Sequence, residues 1–272
     1  MLRIDDDLGR QLVFGRAPQR IVSLVPSDTY SVVALGAGDR LVGRTTYCEH
    51  GEGVATVGGT KDVDVAAVIA LAPDLVIANQ EENARKPLEA LADARLPMFV
   101  SLPRTFDQGI AHLARLARIL SVGNDLVRDG YTLPPAPEPS VRAFMPIWMD
   151  PLMTLNADTF GSDVLARLGI TNVFGDRLRL YPLSADLGKQ AAADANGRDT
   201  RYPRVTLDEV AARTPEVVIL PDEPHAFSAA DEATLHAAVP KARVVRVTGK
   251  DVFWYGAWQL KALERLAAQL GN

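Results

Sequence analysis

Cysteine is almost missing from these 272 residues: Cys48 stands alone, which excludes an internal disulfide framework and any four-thiolate zinc site. Long apolar runs are missing too. The stretch from Val68 to Ala78 is broken by Pro73 and Asp74, far short of the roughly 20 apolar residues that cross a bilayer. Basic charge is not in excess, with 29 Lys and Arg against 34 Asp and Glu and a net charge of −5. A nucleic-acid partner, which needs a basic stripe, is therefore excluded. The opening residues Met1-Leu-Arg-Ile-Asp-Asp-Asp-Leu lack the basic start, apolar stretch and small-residue cleavage site of a secretory signal. Taken alone they lead one to expect a cytoplasmic protein. Gly58-Gly59 lacks the spacing of a phosphate-binding loop, and no Gly-x-Ser-x-Gly elbow occurs. Neither nucleotide binding nor a catalytic constellation is expected.

What is there is apolar residue enough for a large core, 47% of the chain, over a length that favours two lobes rather than one domain. Arg20-Ile-Val-Ser-Leu-Val25 is a β-branched run ended by Pro26, after which Ser27 or Asp28 can cap a helix that stops at Gly36. The same logic places strands at Asp74–Ala78, Pro97–Ser101, Val141–Trp148, Glu216–Leu220 and Ala242–Val247, with helices between them. Such alternation predicts an α/β fold with parallel sheets.

An internal echo sharpens that expectation. Residues 63–78, VDVAAVIALAPDLVIA, and residues 205–220, VTLDEVAARTPEVVIL, both read as helix, proline, strand, and each is followed by an acidic loop, Asn79–Glu82 or Pro221–Pro224. A second echo pairs Asp28-Thr-Tyr, Leu35-Gly36 and Val42-Gly43 with Asp158-Thr-Phe, Leu168-Gly169 and Phe174-Gly175. Two similar lobes are predicted, 1–121 and 141–272, with 122–140 between them as a weak helix over 124–130 and a stiff Pro-rich linker. Residues 178–201, rich in Ala, Asp and Gly, are expected to leave the second lobe as an irregular surface excursion.

The segments RIVSLVPSDTYSVVALGAGDRLVG, VGGTKDVDVAAVIALAPDLVIA, DPLMTLNADTFGSDVLARLGITNVFG and RYPRVTLDEVAARTPEVVIL together resemble the substrate-binding proteins of ABC importers for cobalamin, haem and ferric siderophores. The resemblance is greatest to those that bind vitamin B12. It implies two α/β lobes joined by a connecting helix, a ligand cleft between them, a bulky metal chelate as ligand, no required cofactor, no catalysis, a monomer, a membrane permease as partner and a periplasmic or cell-envelope location. It places Tyr47 on a corrinoid-contacting tyrosine and Tyr202 on a contacting tryptophan, with Thr60 in another tryptophan's place. It also places Asp208, with Glu209 beside it, on a permease-docking charge, and Ala66 where the other lobe's charge would stand.

Flat chelates suit rigid aromatic faces, and Trp148, Trp254 and Tyr255 are the further candidates, with core packing as the alternative for each. Ser27, Glu82, Met153, Arg204 and Glu223 complete the expected ligand contacts. Glu81, Glu82, Asn83, Asp222 and His225 could equally be solvated loop residues. Trp258, on the final amphipathic helix, is expected to be structural. Cys48 and His50 are the only weak metal candidates, short of a ligand set. Arg44, Arg104 and Arg204 would suit an anionic siderophore instead. An intracellular enzyme or cofactor-handling protein on the same fold is the remaining alternative.

Overall fold

The computed structural model describes residues 1–123 and 137–271. The predicted helix over 124–130 and most of the Pro-rich stretch lie outside the described residues. The chain divides into two compact units. The first gathers Met1–Pro103, the described part of Asp107–Thr132, and Tyr255–Trp258. The second gathers Arg104–Phe106 and the described parts of Leu133–Trp254 and Gln259–Asn272.

The first unit opens with an antiparallel hairpin, β1 (Leu2–Asp5) and β2 (Gln11–Phe14). Its main sheet is built from β3 (Ile21–Ser23), β4 (Leu41–Arg44), β5 (Ala55–Thr56), β6 (Leu75–Asn79) and β7 (Met98–Ser101), in the order β5-β4-β3-β6-β7, all neighbours parallel. Strand β6 is buried along its whole length, as expected of a strand covered on both faces. Helices α1 (Pro26–Ala34), α2 (Val65–Ala70), α3 (Arg85–Asp93) and α4 (Phe106–Leu120) connect and cover these strands. Val22, Leu24, Val68, Val76, Ala78, Leu91 and Val100 form one core cluster. Each such fully buried aliphatic contributes about 1.5–3 kcal/mol over its exposed state, Ala less.

The second unit repeats the plan with β8 (Val141–Phe144), β11 (Ile170–Asn172), β12 (Val217–Pro221) and β13 (Arg243–Val247), in the order β11-β8-β12-β13, again parallel. Numbered within each unit, the strands β4-β3-β6-β7 and β11-β8-β12-β13 share one order, second-first-third-fourth. The repeat read from the echoes is thus a repeat of topology. A separate antiparallel pair, β9 (Pro146–Met149) with β10 (Leu152–Thr154), stands at the end of β8. The core here gathers Phe144, Phe174, Val210, Val218, Leu220 and Leu235.

Four local expectations change. The single strand predicted over Val141–Trp148 is two: Pro146 has no N–H to give a central ladder, so the chain leaves the parallel sheet after Phe144 and turns into β9. Helix α1 is not capped by Ser27 or Asp28. Pro26 opens it at the first helical position, Val25 is the N-cap, and both polar side chains are turned into the protein. The Asp-Thr echo therefore repeats in element order but not in residue register, since Thr159 does cap its helix, accepting from Ser162 N, whereas Thr29 lies inside α1. Trp258 belongs to a 3-10 turn, Trp258–Lys261, ahead of the last helix Ala262–Leu270. The paired stops do hold: Gly36 and Gly169 both take left-handed backbone, φ +76° and +72°, just after their helices.

Candidate functional site

In an open parallel sheet, ligands meet the carboxyl ends of the strands, above all where the strand order reverses. In the first unit that reversal lies between β3 and β6. Ser27 follows β3, Tyr47 follows β4, Thr60 follows β5 and Glu82 follows β6, so four expected contact residues stand on one rim. Tyr47 is 65% exposed, and its ring rests against Gly59. A Cβ at residue 59 would stand 3.0 Å from Tyr47 Cε2 and 2.2 Å from Asp62 Oδ1, so a larger residue there would make the exposed Tyr47 ring and the Asp62 carboxylate shift. The rim is held rigid by two buried amides. Asn79 Oδ1 accepts from the N–H groups of Glu81 and Glu82, at 2.7 and 3.0 Å. Asn83 Nδ2 donates to Leu24 O and Thr60 O, both at 3.0 Å. Asn83 is thus a tether of the β3, β5 and β6 ends, not a free group.

Glu82 is exposed, yet protein surrounds it closely enough that burial raises its carboxyl above the ordinary value, with Lys61 opposing and Glu81 and Asp28 adding to the rise. A carboxyl raised in the folded state stabilises the fold below the ordinary glutamate value and loses that contribution as pH climbs through the raised one. Glu82→Gln, with no charge to desolvate, should melt higher than the parent at pH 7. In melting curves taken between pH 7 and about pH 4, near the ordinary glutamate value, the gap should close toward the acid end.

Below this rim lies a buried polar cluster that periodicity gave no sign of. His112 Nε2 meets Asp28 Oδ1 at 2.6 Å, both side chains 0% exposed. Tyr255 donates its hydroxyl to Asp28 Oδ2 at 3.2 Å and receives Asn79 Nδ2 at 3.0 Å, with Ser101 Oγ at 3.1 Å. Burial, then the charge of Asp28, holds the Tyr255 phenol well above its ordinary value, so it remains an O–H donor. Tyr255, expected at a ligand surface, is thus a buried member of this cluster. Trp258 packs edge-on against Tyr30, 5.1 Å between ring centres, as a structural residue.

In the second unit the order reverses between β8 and β12. Trp148, in the hairpin after β8, is 43% exposed and tilts over His225, which follows β12, at 5.0 Å. His225 in turn meets the buried Phe227 edge-on at 4.7 Å. Trp148 pairs with Met153 across β9 and β10, and Met153 bridges to Arg204. Directly paired residues of a ladder share a face, so Trp148, Met153 and Arg204 form one row. Tyr202 is half-buried nearby in sequence, with the Arg201 guanidinium 5.5 Å from its ring. Trp254 is 8% exposed and carries Lys250 Nζ 5.0 Å over its ring. Glu223 packs its backbone and Cγ on Gly249, where a Cβ would come within 2.4 Å, and so fixes the start of the helix Gly249–Phe253.

Of the two docking candidates, Asp208 is exposed, whereas Glu209 is half-buried and accepts from Arg177 Nε at 3.0 Å. Ala66 is exposed on α2. Cys48 is buried between the hydroxyls of Thr29 and Thr45, each 3.1 Å away, and His50 packs on Tyr30. Among the described residues no three His, Cys, Asp or Glu side chains gather as a metal site, and no helix is long and apolar enough to cross a membrane.

No family model matches the chain. A curated vitamin B12-binding protein from Yersinia pestis is 27% identical over 221 residues, covering 75% of this chain and 70% of that protein. Among solved structures, the periplasmic vitamin B12-binding protein of Vibrio cholerae matches with a TM-score of 0.66 at 21% identity, over 93% of this chain and 97% of its own. The periplasmic haem-binding protein RhuT of Roseiflexus matches with a TM-score of 0.66 at 16% identity, over 92% and 97%. At those identities the structures establish the fold, two α/β units with parallel sheets flanked by helices.

Proposed function

We propose that this chain is a substrate-binding protein of the kind that includes vitamin B12-, haem- and iron-binding members, and that it carries a bulky metal chelate for an ABC-type uptake system, with a corrinoid such as cobalamin as the chelate. One observation carries the reading. Among the described residues, the aromatic side chains more than a third exposed are Tyr47 and Trp148, one in each unit, each at the carboxyl edge of a parallel sheet near its reversal of order. Large rigid rings left in water on a binding rim suit the faces of a flat macrocycle. Binding needs no chemistry from the protein. The named relatives are binding proteins, and this reading carries their role, and their periplasmic setting, over to the present chain. Asp208, exposed at the first turn of its helix, is the residue offered to a permease, because Glu209 is committed to Arg177.

Isothermal titration with cyanocobalamin, haem and a ferric siderophore tests this. One-to-one binding of cyanocobalamin, tighter than of the other two, is expected. Tyr47→Ala and Trp148→Ala should each weaken it by about 10-fold or more, as expected for a central aromatic contact. Preference for haem would move the ligand within the class, and no binding of any of the three would sink the reading.

A further inference from the structure

Trp148 is the exposed ring of the second unit, and the hairpin that carries it gives the indole one hydrogen bond, from Nε1 to Asp150 O at 3.0 Å. Its support comes from the loop after β12. The His225 imidazole lies 5.0 Å from the indole at a tilt of 54°, and meets the ring of Phe227 at 4.7 Å and 79°. Phe227 belongs to the core cluster, so three rings run from the core to the exposed indole. A phenylalanine at 225 could fill the middle place. What histidine adds is a nitrogen: Nε2 is buried, has no hydrogen-bond partner, and stands 3.6 Å from Asp231 Oδ2, within ion-pair reach but too long for a hydrogen bond. Asp231 is itself fixed, its Oδ2 accepting from Ser228 N at 2.8 Å and Ser228 Oγ at 2.9 Å in the capping box of the helix Ala229–Ala238. Those bonds, with His225 adding to them, hold its carboxyl below the ordinary value.

The charged groups on the elements around His225 are Asp231 and Glu232 on that helix, Arg246 on β13, Asp222 and Glu223 in its own loop, and Asp150 and Arg204 beside the hairpin. Arg246 is engaged by Glu232 at 2.8 Å, and Asp222 accepts from Gly249 N at 2.6 Å. Asp231 is the carboxylate at ion-pair distance. We propose that His225 is a positioning residue for Trp148, and that its protonation closes the Nε2–Asp231 contact and sets the indole for stacking on the chelate. The imidazolium is drawn to the carboxylate at one edge and to the electron-rich indole beside it, whereas the neutral ring makes packing contacts alone. The inference rests on the proposed function and adds regulation to it: the chelate is held more tightly on the acid side of the window in which histidine side chains titrate, about pH 5 to 8.

The first readout needs no ligand. The chain has three tryptophans, so three indole N–H resonances appear in proton–nitrogen NMR spectra, and Trp148→Phe identifies the one wanted. In the parent that resonance should move between about pH 5 and pH 8, and in His225→Phe it should stay still. The same comparison takes His50, His112 and His236 out of the account. Asp231→Asn should carry the transition to lower pH, since the imidazolium loses its carboxylate while the positive end of the helix remains. The second readout is titration with cyanocobalamin, which keeps one charge state across the window. The parent should bind it about 2- to 5-fold more tightly at the acid end than at the alkaline end, and His225→Phe should lose that dependence. A Trp148 resonance that ignores pH in the parent, or moves equally in His225→Phe, would overturn the inference. So would equal affinity at both ends despite a moving resonance. If the resonance behaves as expected but neither cyanocobalamin nor haem binds, the chelate reading falls and the proton-set indole stands.

Discussion

Asp28→Ala should be the most destabilising single change in the first unit, costing about 3 kcal/mol or more, since each of two buried polar groups left without its partner costs about 1–3 kcal/mol. The carboxylate is fully buried, takes His112 Nε2 at 2.6 Å and Tyr255 OH at 3.2 Å, and its loss leaves both groups facing a methyl. No water reaches them easily, because Phe99 stacks on His112 at 5.6 Å and Tyr255 closes the other side edge-on at 5.1 Å. His112 Nδ1 is already buried without a partner, so the ring has no second bond to fall back on. Asp28→Asn keeps the volume and one acceptor oxygen for His112, and should recover more than half of the lost stability. Urea unfolding followed by tryptophan fluorescence measures both. Equal midpoints for parent and Asp28→Ala would mean that the cluster does not hold the unit. Tyr255→Phe removes only the hydroxyl and should cost about 1–2 kcal/mol, since Asn79 Nδ2 and Ser101 then lose one partner each.

That cluster marks where sequence reading stops. The strands and helices were legible because their causes are local: Pro73 and Pro215 close helices and Val/Ile runs follow them, and Gly36 and Gly169 supply the left-handed turns. The two echoes predict two similar lobes for the same reason, and the shared strand order is what the structure adds. Asp28 and His112 are 84 residues apart, and Asp28 and Tyr255 are 227 apart. Nothing in periodicity couples positions at that distance, so Asp28 read as a helix cap and Tyr255 as a binding residue. The rim was partly legible. Tyr47 is named from the resemblance and Trp148 from its flat aromatic face, and the structure puts Trp148, Met153 and Arg204 in one row. The support of Trp148 by His225 was not foreseen, because it needs β8 and β12 to be neighbours. Had the order of the second sheet been assumed from the first, the residues after those two strands could have been paired in advance. Pro146 was the misread signal: a proline inside an apolar run is an exit from the sheet, and here it makes the hairpin that carries Trp148 outward.

Asp186→Ala should produce a second large loss, confined to the excursion. Residues 178–201 have no regular strand or helix of their own, so their order depends on a few tethers. Asp186, with its side chain 0% exposed, is the hub: it accepts from Leu180 N at 2.5 Å, from Arg177 Nη1 at 3.3 Å and from Arg204 N at 3.2 Å. Alanine removes all three acceptor contacts and leaves the partly buried N–H groups of Leu180 and Arg204 without that acceptor. A loss of about 3 kcal/mol, from two N–H groups left without an acceptor at about 1–3 kcal/mol each, then falls on local opening, because the parallel sheet does not run through the hub. At about 1.4 kcal/mol per tenfold, the open population of 178–201 rises about 100-fold or more. Limited proteolysis should cut the variant within 178–201, after Lys189 or Arg198, under conditions that leave the parent whole, while the midpoint of global unfolding falls by less than in Asp28→Ala. Arg177 is partly spared because Glu209 still holds its Nε at 3.0 Å, so Glu209→Ala combined with Asp186→Ala should exceed the sum of the two single changes. A variant that resists protease like the parent would show that the Tyr181–Ala193 bridge and the Tyr181 hydroxyl bond to Asp199 O suffice to order the excursion.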